Sequence, residues 1–104
     1  MGFKYYLIQP MSGRSEEEIL KERQVWKEVL KDFGEVMDTY YTEEVQKNCN
    51  AGLYYLGKSI QAMSEADWVI CLPHWRKYKG CRIEYKCAKA YKKRILRIKL
   101  KKGW

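Results

Sequence analysis

No stretch of this chain approaches the roughly 20 consecutive apolar residues that a membrane-spanning helix needs. The first ten residues, MGFKYYLIQP, also lack the charged, apolar and small-residue order of a secretory signal. Gly2 follows Met1, but the myristoylation pattern asks for Ser or Thr where Tyr6 stands. These absences lead to the expectation of a cytoplasmic protein. No CxxC pair occurs among Cys49, Cys71, Cys81 and Cys87, and the only histidine is His74. Cys71-x-x-His74 followed by Cys81 and Cys87 makes a poor zinc set, because helix positions six apart lie about 240° apart and face different ways. The expectation is therefore no metal site, no cofactor and reduced thiols. His74 reads as an ordinary loop histidine.

Acidic residues are nearly missing from the last third. Arg76–Lys102 holds thirteen Lys and Arg against one acid, Glu84, while the 75 residues before it hold eight bases and twelve acids. The net charge of +8 is thus concentrated at one end. Such a segment attracts an anionic partner or keeps a surface soluble. Apolar residues, by contrast, are plentiful: 46% hydrophobic and 14% aromatic content is globular composition. A length of 104 residues supports one core, so residues 1–104 read as a single domain.

The hydrophobic pattern alternates between strand and helix. Phe3–Gln9 reads as a buried strand that breaks into a Pro/Ser/Gly turn. Ser15 and Glu18 form the capping-box pattern S-x-x-E. The helix they open carries Ile19, Trp26, Val29, Leu30 and Phe33 at helical spacing, with Gly34 as its stop. Glu35–Tyr41 reads as a second strand. A following helix places Leu53, Leu56, Ile60 and Met63 on one face. Asp67–Pro73 is the most continuously apolar strand. A third helix starts at Gly80, and RILRIKL closes the chain as a fourth strand. On a helical wheel Ile83, Cys87, Ala90 and Tyr91 form the buried arc of the third helix, with Arg82, Lys86, Lys89 and Lys93 opposite. Strands alternating with helices imply a parallel sheet. For four strands the expected order is 2-1-3-4, a small flavodoxin-like (Rossmann-like) three-layer α/β fold. Its switch point lies between strands 1 and 3, where open parallel sheets bind ligands. The loops Gln9–Arg14 and Pro73–Gly80 meet that place. Glu84, read in the first turn of the third helix, is expected to be ionised by the helix dipole.

YYLIQPMSGR, YLGKSIQAMSEADWVICLPHW and KGCRIEYKCAKAY, in that order, resemble the nucleoside 2-deoxyribosyltransferase-like superfamily, and most closely its short bacterial and phage branch. The resemblance implies that Glu84 is the nucleophile, attacking the anomeric carbon of a nucleoside or nucleotide to give a covalent glycosyl intermediate. It implies a sugar- or phosphate-contacting loop at Gln9, Met11, Ser12, Gly13 and Arg14, whose N–H groups suit an anion. It also makes Gly80 a glycine that lets backbone approach the ligand. Neighbouring subunits complete the pocket in this superfamily, and Leu53, Tyr54 and Tyr55 offer spare apolar surface, so a homodimer or larger assembly is expected.

The sequence departs from the superfamily pattern where catalysis needs help. The acid that assists the leaving base corresponds to Ser59, and a second acid corresponds to Tyr78; a serine cannot act as a general acid near neutral pH. The usual glycine after the third helix is Lys92, and Asp67 reads as structural. Trp75 and Tyr78 either stack a nucleobase or pack the loop. Two functions follow. One is an N-glycosidase or deoxyribosyltransferase with an incomplete catalytic set. The other is a non-catalytic phage or mobile-element protein that sequesters a nucleotide-derived ligand or inhibits a nucleic-acid-handling partner through its basic face. Alternating charges in the last strand suit edge protection, while the stripe on the third helix suits nucleic acid or a protein partner.

Overall fold

In a computed structural model describing residues 2–99, four parallel strands form one sheet in the order β2-β1-β3-β4, with three helices. The elements are β1 (Phe3–Ile8), α1 (Glu16–Leu30), β2 (Gly34–Val36), α2 (Ala51–Met63), β3 (Trp68–Cys71), α3 (Lys79–Ala90) and β4 (Arg94–Arg97). A single 3₁₀ turn at Trp75–Lys77 precedes α3. The fold is the flavodoxin-like α/β arrangement expected from the alternation of elements. The last strand covers only Arg94–Arg97; Leu100 to Trp104, with Lys101 and Lys102, lie outside the described residues. No helix among the described residues is long and apolar enough to cross a membrane.

Period-2 alternation along β1 divides the core into two layers. Tyr6 and Ile8 pack with Val69 and Cys71 of β3 against α2 and α3. Tyr5 and Leu7 pack with Ile70 and Leu72 against Trp26 and Leu30 of α1. Burial of both faces is what a central parallel strand requires. Asp67 ties the bottom of the sheet together: its Oδ2 accepts from the Lys4 N–H at 2.7 Å and its N–H donates to the Lys4 carbonyl at 2.8 Å.

Several local expectations change. The Ser15 hydroxyl accepts from the Glu18 N–H at 3.1 Å, and the Glu18 carboxylate turns to that hydroxyl instead of the Ser15 backbone. The buried stripe of α1 runs Ile19, Arg23, Trp26, Leu30, which leaves Val29 and Phe33 facing out. Gly34 does not stop this helix, which ends at Leu30; it opens β2. A Cβ on Gly34 would lie 2.0 Å from the Phe3 carbonyl oxygen, so only glycine lets β2 pair with β1 there. β2 ends at Val36 because Arg23 captures the Met37 carbonyl and the Thr39 hydroxyl, pulling the chain off the ladder.

Helix α2 begins at Ala51, two residues before the Leu53 that opens its apolar pattern, because the Asn50 side chain accepts from the Leu53 N–H. Its buried positions are Ser59 and Met63, while Leu53 and Ile60 stay exposed. The inner face of α3 is Cys81, Glu84 and Ala88, not the arc of Ile83, Cys87, Ala90 and Tyr91. Hydropathy set Glu84 at the border of that arc, on the edge that could face a pocket, whereas it belongs to the inner face itself. The end of α3 is a Schellman motif, with the Lys93 N–H bonded to the Ala88 carbonyl and the Lys92 N–H to that of Lys89. Lys92 sits at φ 58°, the left-handed position that glycine usually fills.

Candidate functional site

After β1 the chain enters α1 on one face of the sheet; after β3 it enters α3 on the other. A crevice opens between the two departures. A cleft of about 910 Å³ occupies it. Tyr6, Met11 and Ser12 form one wall, Tyr41, Tyr55 and Ser59 a second, and Tyr78, Gly80 and Glu84 a third. The loops after β1 and β3 and the start of α3 therefore meet in space.

Glu84 sits at the back of this cleft, 9% exposed. Helix α3 starts at Lys79, so Glu84 falls in the second turn, beyond the reach of the helix terminus that the sequence invoked to ionise it. Burial instead pushes its carboxyl from the ordinary 4.5 up to about 7. The Tyr6 hydroxyl, which donates to Oε2 at 2.8 Å, pulls the other way, as do the Ser59 hydroxyl and the Arg23 charge. Tyr6 itself is held well above its usual value, first by burial and then by the Glu84 charge, so it stays a donor. The result is a carboxyl near half ionisation at neutral pH, held in one orientation by a tyrosine. A buried carboxyl with a raised pKa and a specific partner, set in a cleft, is a candidate functional group.

Arg23 lies behind the wall, 3% exposed, with burial lowering its affinity for a proton. Its guanidinium donates to the Gln9 side-chain oxygen at 2.7 Å, to Thr39 Oγ1 at 2.6 Å and to the Met37 carbonyl at 3.1 Å. Among the described residues it has no carboxylate ion pair. Its charge is left to act on the cleft, where it favours an ionised Glu84. The loop after β1 hangs from the same network. Gln9 Nε2 donates to the Ile19 carbonyl and the Glu22 carboxylate, and Arg14 donates to Glu22 and to the Pro10 carbonyl.

The residues singled out in the sequence divide accordingly. Glu84, Met11, Ser12, Ser59, Tyr78, Gly80 and Gln9 line the cleft, but the amide of Gln9 is committed to α1. Gly13 supplies the positive φ, 79°, of a turn closed by the Arg14 N–H on the Met11 carbonyl, and lies off the cleft wall. Arg14 faces a smaller hollow of about 340 Å³ bounded by His74 and Lys77. Trp75 is buried against Tyr85, ring centroids 4.4 Å apart, so loop packing accounts for it and Tyr78 alone remains open to a ligand. Cys71 and Cys81 are buried, their thiols pushed up to about 12 by burial, which leaves them inert.

Tyr6, Arg23 and Tyr41 escaped the sequence reading. A tyrosine inside a buried strand needs a partner for its hydroxyl, and a lone cation on the inward stripe of α1 is out of place; those were the available signals. Tyr41 stacks on Tyr55 and donates to the Lys58 carbonyl, fastening the β2–α2 segment to α2 as a side wall. No curated protein and no solved structure matches the chain. Residues 3–97 match the family model described as a domain of unknown function, DUF4406, and the chain belongs to that family.

Proposed function

We propose that this protein binds a nucleoside or nucleotide in the cleft and acts at its N-glycosidic bond, as a short member of the nucleoside 2-deoxyribosyltransferase-like superfamily. The observation that carries this reading is the buried Glu84 carboxyl facing the cleft with its oxygen held by Tyr6. In the reaction an ionised Glu84 oxygen attacks the anomeric carbon, and the bond to the base breaks. The base leaves with the electron pair and takes up a proton; water or a second base then displaces Glu84. Because Glu84 titrates near 7, the reactive form grows as pH rises through that value.

A second reading, binding without turnover, is favoured by Ser59. Among the described residues lining the cleft, Glu84 is the one carboxylate, and by the resemblance Ser59, also in the lining, corresponds to the acid that protonates the leaving base. General acid catalysis typically contributes about 10²–10⁴-fold, so its loss makes turnover slow while binding persists. Mass spectrometry of any ligand carried through purification, followed by incubation with a nucleotide panel, tests both. Nucleotide retention with slow base release supports the enzyme, retention without release supports the binder, and retention of neither refutes the proposal. Leu53, 68% exposed beside the cleft, supports the further proposal that a second copy closes this side.

A further inference from the structure

Residues 76–99 carry eleven lysines and arginines and one acid, Glu84, and folding withdraws that acid into the cleft wall. The outer surface of the segment is left with positive charge alone. Lys79, Arg82, Lys86 and Lys89 recur three and four residues apart on the side of α3 away from its buried Cys81–Glu84–Ala88 face. Beside α3, the edge strand β4 adds Arg97, which shares the α3 side of the sheet with Ile95, while Arg94 turns to the other side over the Trp68 ring. Among the described residues none of these cations makes an ion pair; every salt bridge lies between residues 14 and 58.

That pattern works against the helix that carries it, because like charges three and four apart repel. Solubility is served better by mixed signs. Edge protection explains the arginines of β4 but not four cations on a helix that forms no sheet edge. At the end of the same helix Tyr91 is 84% exposed, between Lys89 and Lys92. Lys79 to Lys89 spans about 15 Å of helix, room for roughly four phosphates at the spacing of a stacked strand. A chain of phosphates bearing stackable rings answers both the row of cations and the bare aromatic ring. We propose that α3 and β4 form a binding face for single-stranded nucleic acid. This face meets the rim of the cleft at Lys79, runs away from it along α3, and does not depend on Glu84 chemistry.

The test is fluorescence anisotropy with labelled oligothymidylate and single-stranded RNA of equal length, across a salt series. The expected logarithmic salt slope is about −3, from roughly four phosphates at about −0.7 each. The triple variant Arg82→Glu, Lys86→Glu, Lys89→Glu changes only exposed side chains, and circular dichroism checks that it stays folded. It is expected to weaken binding about 100-fold, and Tyr91→Ala about tenfold. Binding of one oligonucleotide over the other tells DNA from RNA, and either supports the proposal. Absence of salt-dependent binding, a folded triple variant that binds like the natural protein, or tighter binding to duplex or phosphatidylserine vesicles than to single strands overturns it.

Discussion

Replacing Glu84 by Gln keeps the shape of the side chain and an oxygen for the Tyr6 hydroxyl while removing the titration. A carboxyl that titrates near 7 in the fold and near 4.5 in the unfolded chain binds its proton more tightly when folded. The stabilisation from that proton is fully present below pH 4.5 and is lost as pH rises through 7. At about 1.4 kcal/mol for each tenfold difference in proton affinity, the difference between the two ends is ~3 kcal/mol. Urea unfolding of both proteins across this pH range measures it, and groups common to both cancel in the comparison. Glu84→Gln is expected to gain ~3 kcal/mol on the natural protein between the acid and alkaline ends. Parallel stability curves would refute the buried, raised carboxyl.

Tyr6→Phe removes a donor to Glu84, so the carboxyl midpoint followed by carbon NMR should move above 7, with a loss of about 1.5–3 kcal/mol where Glu84 is ionised. An unmoved midpoint would show that the hydroxyl does not hold this carboxyl. Lys92→Gly relieves a left-handed residue and should raise stability by about 1 kcal/mol in thermal unfolding, less if the glycine loosens the unfolded chain. Ser59→Asp places an acid beside Glu84; if the cleft survives, base release should rise by about tenfold or more, and an unchanged rate in a folded variant would place the leaving-group problem elsewhere. Sedimentation should show a dimer or larger at micromolar concentration, reduced to monomer by Leu53→Glu; monomer alone in the natural protein would contradict closure of the cleft by a second copy.

How far the molecule was legible in its residues depended on whether local pattern or tertiary contact decided the outcome. Ser15 and the alternating apolar runs settled the order of elements, and with it the parallel sheet and the position of the crevice. The ends of elements were set by distant partners. β2 stops early because Arg23, on α1, takes the carbonyl of the next residue, Met37, and Gly34 matters through Phe3 across the sheet. The face of α3 was misread for a related reason. A wheel sorts by hydropathy, and the residue at the centre of the inward face is a glutamate whose burial is compensated by Tyr6, seventy-eight positions away. Burial on that inward face, against the pull of Tyr6, reversed the expected ionisation of Glu84. Residue chemistry singled out the carboxyl that the fold buries in the cleft wall, but its environment could be read only after folding.

Base release from a panel of nucleosides and nucleotides, measured from pH 6 to 8 for the natural protein and for Glu84→Gln, bears most directly on the role of Glu84. Slow release that grows with pH through about 7 in the natural protein, and vanishes in a variant that still binds the ligand, is the expected result. Release that is equal in the two proteins, or that falls as pH rises through 7, would contradict a nucleophilic Glu84.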